Sequence, residues 1–153
     1  MTDFAAQRVI RSSTLQLPSP RSSAFSLFEP LGEKRWAHEW EPEILYPSSG
    51  IAEVGTVFMT RHPHEPAKVW TITAHDVDEA HLTYFNVLPG SHVTTIDIQC
   101  DDDASARTVV HVTYTLTALS PDGNIHLQHF TEDYYHEMME SWQTAIVNYL
   151  LHS

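Results

Sequence analysis

Cysteine, glycine and basic side chains are all scarce in this chain. One cysteine, Cys100, in 153 residues has no partner for an internal disulfide, so nothing points to an oxidising compartment. Five glycines, at 32, 50, 55, 90 and 123, are too few and too scattered for a phosphate-cradling loop, which removes the P-loop and dinucleotide fingerprints. There is no Gly-x-Ser-x-Gly elbow. Cys100 runs into Asp101, Asp102 and Asp103, whose charge opposes a thiolate. Nucleophilic catalysis is therefore disfavoured. Lys and Arg number 8 against 20 acids, a net charge of −12, so a basic patch for nucleic acid or anionic lipid is hard to assemble. Long apolar runs are missing, and with them any membrane-spanning helix. The N-terminus, Met1-Thr2-Asp3-Phe4, has no basic stretch followed by an apolar one and so does not read as a signal peptide. The expectation is a cytoplasmic protein with no cofactor, no nucleic-acid partner and no membrane partner.

What is present is a globular composition, 42% hydrophobic and 18% charged, over a length that suits one domain spanning 1–153 with its core in 6–151. The charge is uneven. Residues 69–153 hold twelve acids and the single base Arg107, so an anionic ligand would meet a repulsive field there. Eleven histidines would titrate in mild acid.

Residues 6–17 read as a first strand, ended by Pro18 and Pro20. Ser19 and Pro20 suit a helix N-cap and first residue, opening a short helix over Ser23 to Phe28 that Pro30 and Gly32 break. A second short helix over Glu33 to Trp40 puts Trp36 and Trp40 on one face. The period then becomes two. Strands are expected over Ile44 to Pro47, Thr56 to His62, Lys68 to His75, His81 to Val87, Ser91 to Cys100 and Arg107 to Leu119. The last is the clearest: Val110, Val112, Tyr114, Leu116 and Ala118 alternate with His111, Thr113, Thr115 and Thr117. Short connections demand an antiparallel meander, and one apolar face means a sheet covered on one side. Ser120-Pro121-Asp122-Gly123 ends the sheet. A long helix from about Asn124 to Leu151, roughly 40 Å, then carries Phe130, Tyr134, Met138, Trp142, Ala145, Ile146 and Tyr149 at a 3–4 step. Such a stripe is built to lie across the inner face of the meander. A curved sheet gripping a long helix leaves space between them.

Several stretches carry a family likeness: Phe28-Glu-Pro-Leu-Gly-Glu-Lys-Arg-Trp36, Trp40-Glu-Pro42, Gly55-Thr-Val-Phe58, Thr113-Tyr-Thr-Leu-Thr-Ala-Leu119 and the final helix. With this element order, the chain resembles the SRPBCC superfamily. It is similar to a bacterial, polyketide cyclase/dehydrase-like branch of that superfamily, which also includes the birch-pollen-allergen family. The resemblance implies an α+β helix-grip (START-like) fold: a curved antiparallel sheet of about six to seven strands around a long C-terminal helix, with two short helices after the first strand. It implies a cavity for hydrophobic or amphipathic small molecules. It transfers no catalytic motif, because one fold hosts many activities.

The ligand-binding candidates are Phe58, Trp70, Ile72, Tyr84, Ile96, Val112 and Tyr114 from strands, with Tyr134, Met138 and Trp142 from the helix. Tyr hydroxyls and Trp indole N–H groups would be the polar tips of a mostly apolar pocket. The same stripes also read as plain core packing. Trp36 and Trp40 either gate the cavity mouth or staple the short helices to the sheet. His62, His64 and Glu65, and separately His126, His129 and Asp133, offer metal-ligand types, but neither group has a zinc-site spacing and no metal is expected. His136, four residues from both Glu132 and Glu140, suits a surface charge ladder. Arg61 and Asp97 fall on the outward parity of their strands. Three functions stay open: binding of a small hydrophobic or aromatic molecule, a cyclase/dehydrase-like enzyme using the same pocket, or a protein-interaction module with a filled core. A homodimer through a strand edge or helix face is compatible with all three.

Overall fold

The computed structural model describes residues 3–103 and 105–152. Seven strands are β1 (Arg8–Leu17), β2 (Glu43–Tyr46), β3 (Val57–Thr60), β4 (Lys68–Asp76), β5 (His81–Leu88), β6 (His92–Asp102) and β7 (Thr108–Ala118). They form one sheet in the order β1-β7-β6-β5-β4-β3-β2, with every neighbouring pair antiparallel. The alternation dictates this. Leu82, Tyr84, Asn86 and Leu88 of β5 all turn inward and are buried, as are Ile96, Ile98 and Cys100 of β6. The β5–β6 turn uses Gly90 at φ 77, a left-handed backbone that glycine adopts without a Cβ penalty. The inner face is covered by α1 (Arg21–Ser26), α2 (Pro30–Glu33), α3 (Pro121–His129) and α4 (Glu132–His152). No helix among the described residues is long and apolar enough to cross a membrane.

The expected long helix is two helices. Phe130, at φ −87 and ψ 64, leaves helical backbone. Thr131 then caps α4: its Oγ1 accepts the Tyr134 N–H at 3.1 Å and its carbonyl accepts the Tyr135 N–H at 2.9 Å. Glu132 and Asp133 complement the dipole in the first turn. The helical stretch also starts earlier than Asn124. Ser120 Oγ accepts the Gly123 N–H at 3.0 Å, with Pro121 in the first turn. Gly123 is needed there, since a Cβ would lie 1.9 Å from the Ser91 carbonyl oxygen. The fresh start at Thr131 places Tyr135, Met139 and Ile146 in the core and leaves Tyr134 54% exposed.

The short helices are also shifted. Pro20, not Ser19, occupies the N-cap position of α1, and the helix ends at Ser26, before Phe28. Pro30 and Gly32 do not break a helix but belong to α2, with Pro30 at its start, where a missing N–H costs nothing. Gly32 lets α2 close on α1: a Cβ there would be 1.8 Å from the Ser26 carbonyl oxygen. The expected helix over Glu33 to Trp40 is therefore only the end of α2 followed by turns. In β4 a bulge between Ile72 and Ala74 switches the parity. His75, which unbroken alternation from Trp70 and Ile72 places on the outer face, turns in to Glu29 (Nε2–Oε2 2.6 Å) and to the Phe25 ring.

Candidate functional site

A cavity of about 470 Å³ lies between the inner sheet face and α4, roofed by residues 33–40. Trp70, Tyr84, Ile96 and Tyr114 rise into it from successive strands β4 to β7, and Trp142 and Ala145 descend from α4. Glu33, Trp36 and Trp40 close it from above, so all four tryptophans of the chain border one space. Their rings interlock edge to face: Trp36 with Trp142 at 5.6 Å, and Trp40 with Trp70 at 5.3 Å between centroids. Trp36 and Trp40 thus both staple the short helices and form the cavity roof.

Most of the polar tips of this wall are already committed. Trp36 Nε1 donates to the Leu27 carbonyl at 2.8 Å, Trp40 Nε1 to the Pro30 carbonyl at 2.8 Å and Tyr84 Oη to the Phe28 carbonyl at 2.6 Å. Trp70 Nε1 donates to Thr60 Oγ1 at 2.9 Å. The first three bonds tie the cavity wall to main-chain carbonyls of the α1–α2 segment. All four commit these donor hydrogens to the protein's own acceptors. Among the described residues, the wall polarity without a side-chain hydrogen bond is Tyr114 Oη and Trp142 Nε1, the Glu33 carboxyl, and the side chains of His38 and Glu39. Burial raises the Glu33 pKa well above the usual carboxylate range. The Tyr84 and Tyr114 hydroxyls are pushed up as well, first by burial and then by the neighbouring Glu33.

A second cavity of about 550 Å³ adjoins the first and shares Trp70, Ile96 and Tyr114 with it. Tyr134 and Met138 border this one, together with a polar rim from Lys68, Asn86, His92 and His126. His92 and His126 stack at 4.4 Å. Burial, helped by His126 and Lys68, lowers the His92 pKa to about 4, and burial likewise lowers Lys68 against the opposing pull of Glu65. Asn86 is 1% exposed, and its Oδ1 has no hydrogen-bond partner among the described residues.

Seven of the ten sequence-predicted residues therefore border the two cavities: Trp70, Tyr84, Ile96, Tyr114, Tyr134, Met138 and Trp142. Phe58, Ile72 and Val112 lie in the packed core instead. Phe58 stacks on Trp70 at 5.3 Å, and the Val112 carbonyl accepts the Tyr135 hydroxyl, so both are covered by other side chains. Arg61 and Asp97 face outward as expected: Arg61 pairs with Glu43 at 3.5 Å, and Asp97 accepts bonds from His81 and Thr83. Among the described residues no three His, Cys, Asp or Glu groups gather as a metal cluster. His126 meets His92 rather than Asp133, and His136 pairs with Glu132 at 3.7 Å. Sequence reasoning missed Glu33, although the expected helix over Glu33 to Trp40 puts it at i, i+3 and i+7 with Trp36 and Trp40. It also missed Asn86 and His92, whose inward parity follows from their neighbours Tyr84 and Thr94.

No protein-family model matches the chain, and no curated protein matches it by sequence. Solved structures do match it. Norcoclaurine synthase from Thalictrum flavum superposes with a TM-score of 0.70 at 13% identity, covering 97% of this chain and 98% of that one. A hypothetical protein from Helicobacter pylori gives a TM-score of 0.70 at 9% identity, covering 92% and 87%. Ara h 8.0201 gives 0.63 at 14% identity, covering 94% and 99%. The chain has the helix-grip fold of these proteins, the fold the resemblance to the SRPBCC superfamily implied. At this identity the likeness is one of fold.

Proposed function

We propose that the protein binds a small hydrophobic or aromatic molecule in the cavity between the sheet and α4. The observation that carries this reading is the aromatic-walled space of about 470 Å³ roofed by Trp36 and Trp40. Its size falls within the range of small-molecule pockets. A filled-core interaction module needs α4 seated on the sheet along its length, and the cavity stands against that. Burial of apolar ligand surface at roughly 25 cal/mol per Å² supplies the affinity, and the free Tyr114 hydroxyl orients the ligand.

Because all four tryptophans border the space, their emission reports its occupancy. Titration with a neutral apolar fluorophore such as N-phenyl-1-naphthylamine is expected to quench that emission saturably at one site. Ala145→Phe, which fills the cavity from α4, is expected to weaken this binding by about ten-fold with circular dichroism and Tm retained. A non-saturating response, or an unchanged affinity in the filled variant, would overturn the proposal.

A further inference from the structure

The Glu33 carboxyl is left unexplained by a purely apolar guest. Glu33 is 8% exposed, borders the tryptophan-walled cavity and makes no side-chain hydrogen bond or ion pair among the described residues. Buried carboxyls are ordinarily paired or hydrogen-bonded, because burying one alone costs several kcal/mol or forces it to hold a proton. Nothing else in the wall answers it. The other ionisable side chains bordering the cavity are His38, Glu39 and the two phenols of Tyr84 and Tyr114. Among the described residues, no Lys or Arg borders it.

We propose that the ligand carries a cationic nitrogen, an amine or quaternary ammonium, on a small apolar body, with that nitrogen seated against Glu33 among the tryptophan rings. This deepens the binding reading above and rests on it. Three features of the cavity converge on the cation. The carboxyl supplies the countercharge when ionised, and a cation seated beside it favours that form against the burial that disfavours it. The surrounding rings supply the second element of cation recognition, since an ammonium is attracted to the face of Trp more than to that of Tyr or Phe. The indole N–H groups of Trp36, Trp40 and Trp70 are spent on Leu27, Pro30 and Thr60, so those rings offer a guest π-density rather than donors. An anionic guest would find no cationic side chain in this wall and would face Glu33 directly. A neutral apolar guest would fill the space and leave the carboxyl unanswered.

The approach is charged in the same sense. A groove outside the cavity shares Trp36, His38, Ser141 and Ala145 with it and carries Glu137 and Glu140 from α4, with Arg35 the one opposing Lys or Arg side chain among its described residues. The chain as a whole is at −12. Such a field concentrates cations at the mouth and repels anions.

The test is a matched pair of probes on the intact protein. Benzyltrimethylammonium and its uncharged isostere neopentylbenzene have the same shape and differ in charge. The quaternary centre stays cationic at every pH. Quenching of tryptophan emission is expected to give an affinity for the cation at least about ten-fold above that for the isostere. Glu33→Gln is expected to abolish that preference while leaving neopentylbenzene within about two- to three-fold of wild type. Equal affinities in the wild type would overturn the assignment without needing any variant, and the cavity reading would survive. A preference that persists in a folded Glu33→Gln protein would overturn it equally. If neither probe binds and N-phenyl-1-naphthylamine also fails, both this assignment and the cavity reading fall.

Discussion

His92 is a buried base held neutral. A free histidine titrates near 6.5, whereas His92 in the fold titrates at about 4, because burial, the stacked His126 and Lys68 all oppose its charge. Between those two values the unfolded chain takes up a proton that the folded chain refuses. Stability is therefore lost as pH falls from 6.5 toward 4, and this one residue contributes on the order of 2–3 kcal/mol of the loss. His92→Asn is expected to be less stable at pH 7, having lost the bond between Ser91 Oγ and His92 Nδ1. It is also expected to show a shallower decline across that window in urea unfolding. Parallel profiles for the two proteins would refute the assignment. The residue scale is also where the sequence was least transparent. The inward parity of Asn86 and His92 was legible, but that Asn86 Oδ1 finds no partner was not. Glu33 was readable as sharing a face with two tryptophans. Its lack of a countercharge depends on which side chains other strands bring near, and no local pattern encodes that.

Elements fared better where the period was uniform. The four strands from β4 to β7 followed from alternation and turn residues, because each side chain on one face packs on the same core. What alternation concealed was the β4 bulge, where one extra residue sends His75 inward. The C-terminal helix shows the opposite error. The 3–4 step of its apolar residues runs unbroken through Phe130, so periodicity alone joined α3 to α4. The break was written in capping chemistry instead, as Thr131 followed by Glu132 and Asp133. Thr131→Ala is expected to cost about 1 kcal/mol, read as a lower Tm, since it removes the side-chain acceptor for the Tyr134 N–H. An unchanged Tm would mean that packing of Tyr135 and Met139 sets the start of α4 without the cap.

Across the whole molecule, the core is centred on the middle strands, and Cys100 sits within it at 0% exposure. Burial, then Asp101, raises its thiol to about 12, with Arg21 opposing. The sequence pointed to the aspartates, but desolvation leads. Labelling of Cys100 by iodoacetamide is therefore expected to be negligible in the native protein and to become rapid only where circular dichroism reports unfolding. Fast labelling at neutral pH without denaturant would contradict the packing described here. The architecture itself was legible because the order of elements was. The cavity contents were not, because a stripe of aromatic residues is the same pattern whether its rings meet each other or leave room between them.

The hydrogen bonds from Trp36, Tyr84 and Trp40 to the carbonyls of Leu27, Phe28 and Pro30 have a bearing on selectivity. Each of these rings is at once cavity wall and clasp on the same short stretch of backbone. A guest too large for the space cannot simply swing one ring aside, because doing so breaks a hydrogen bond to a main-chain carbonyl. For the guest proposed above, the chamber is thus a mould rather than a sleeve: it trades breadth of guests for fidelity to one outline.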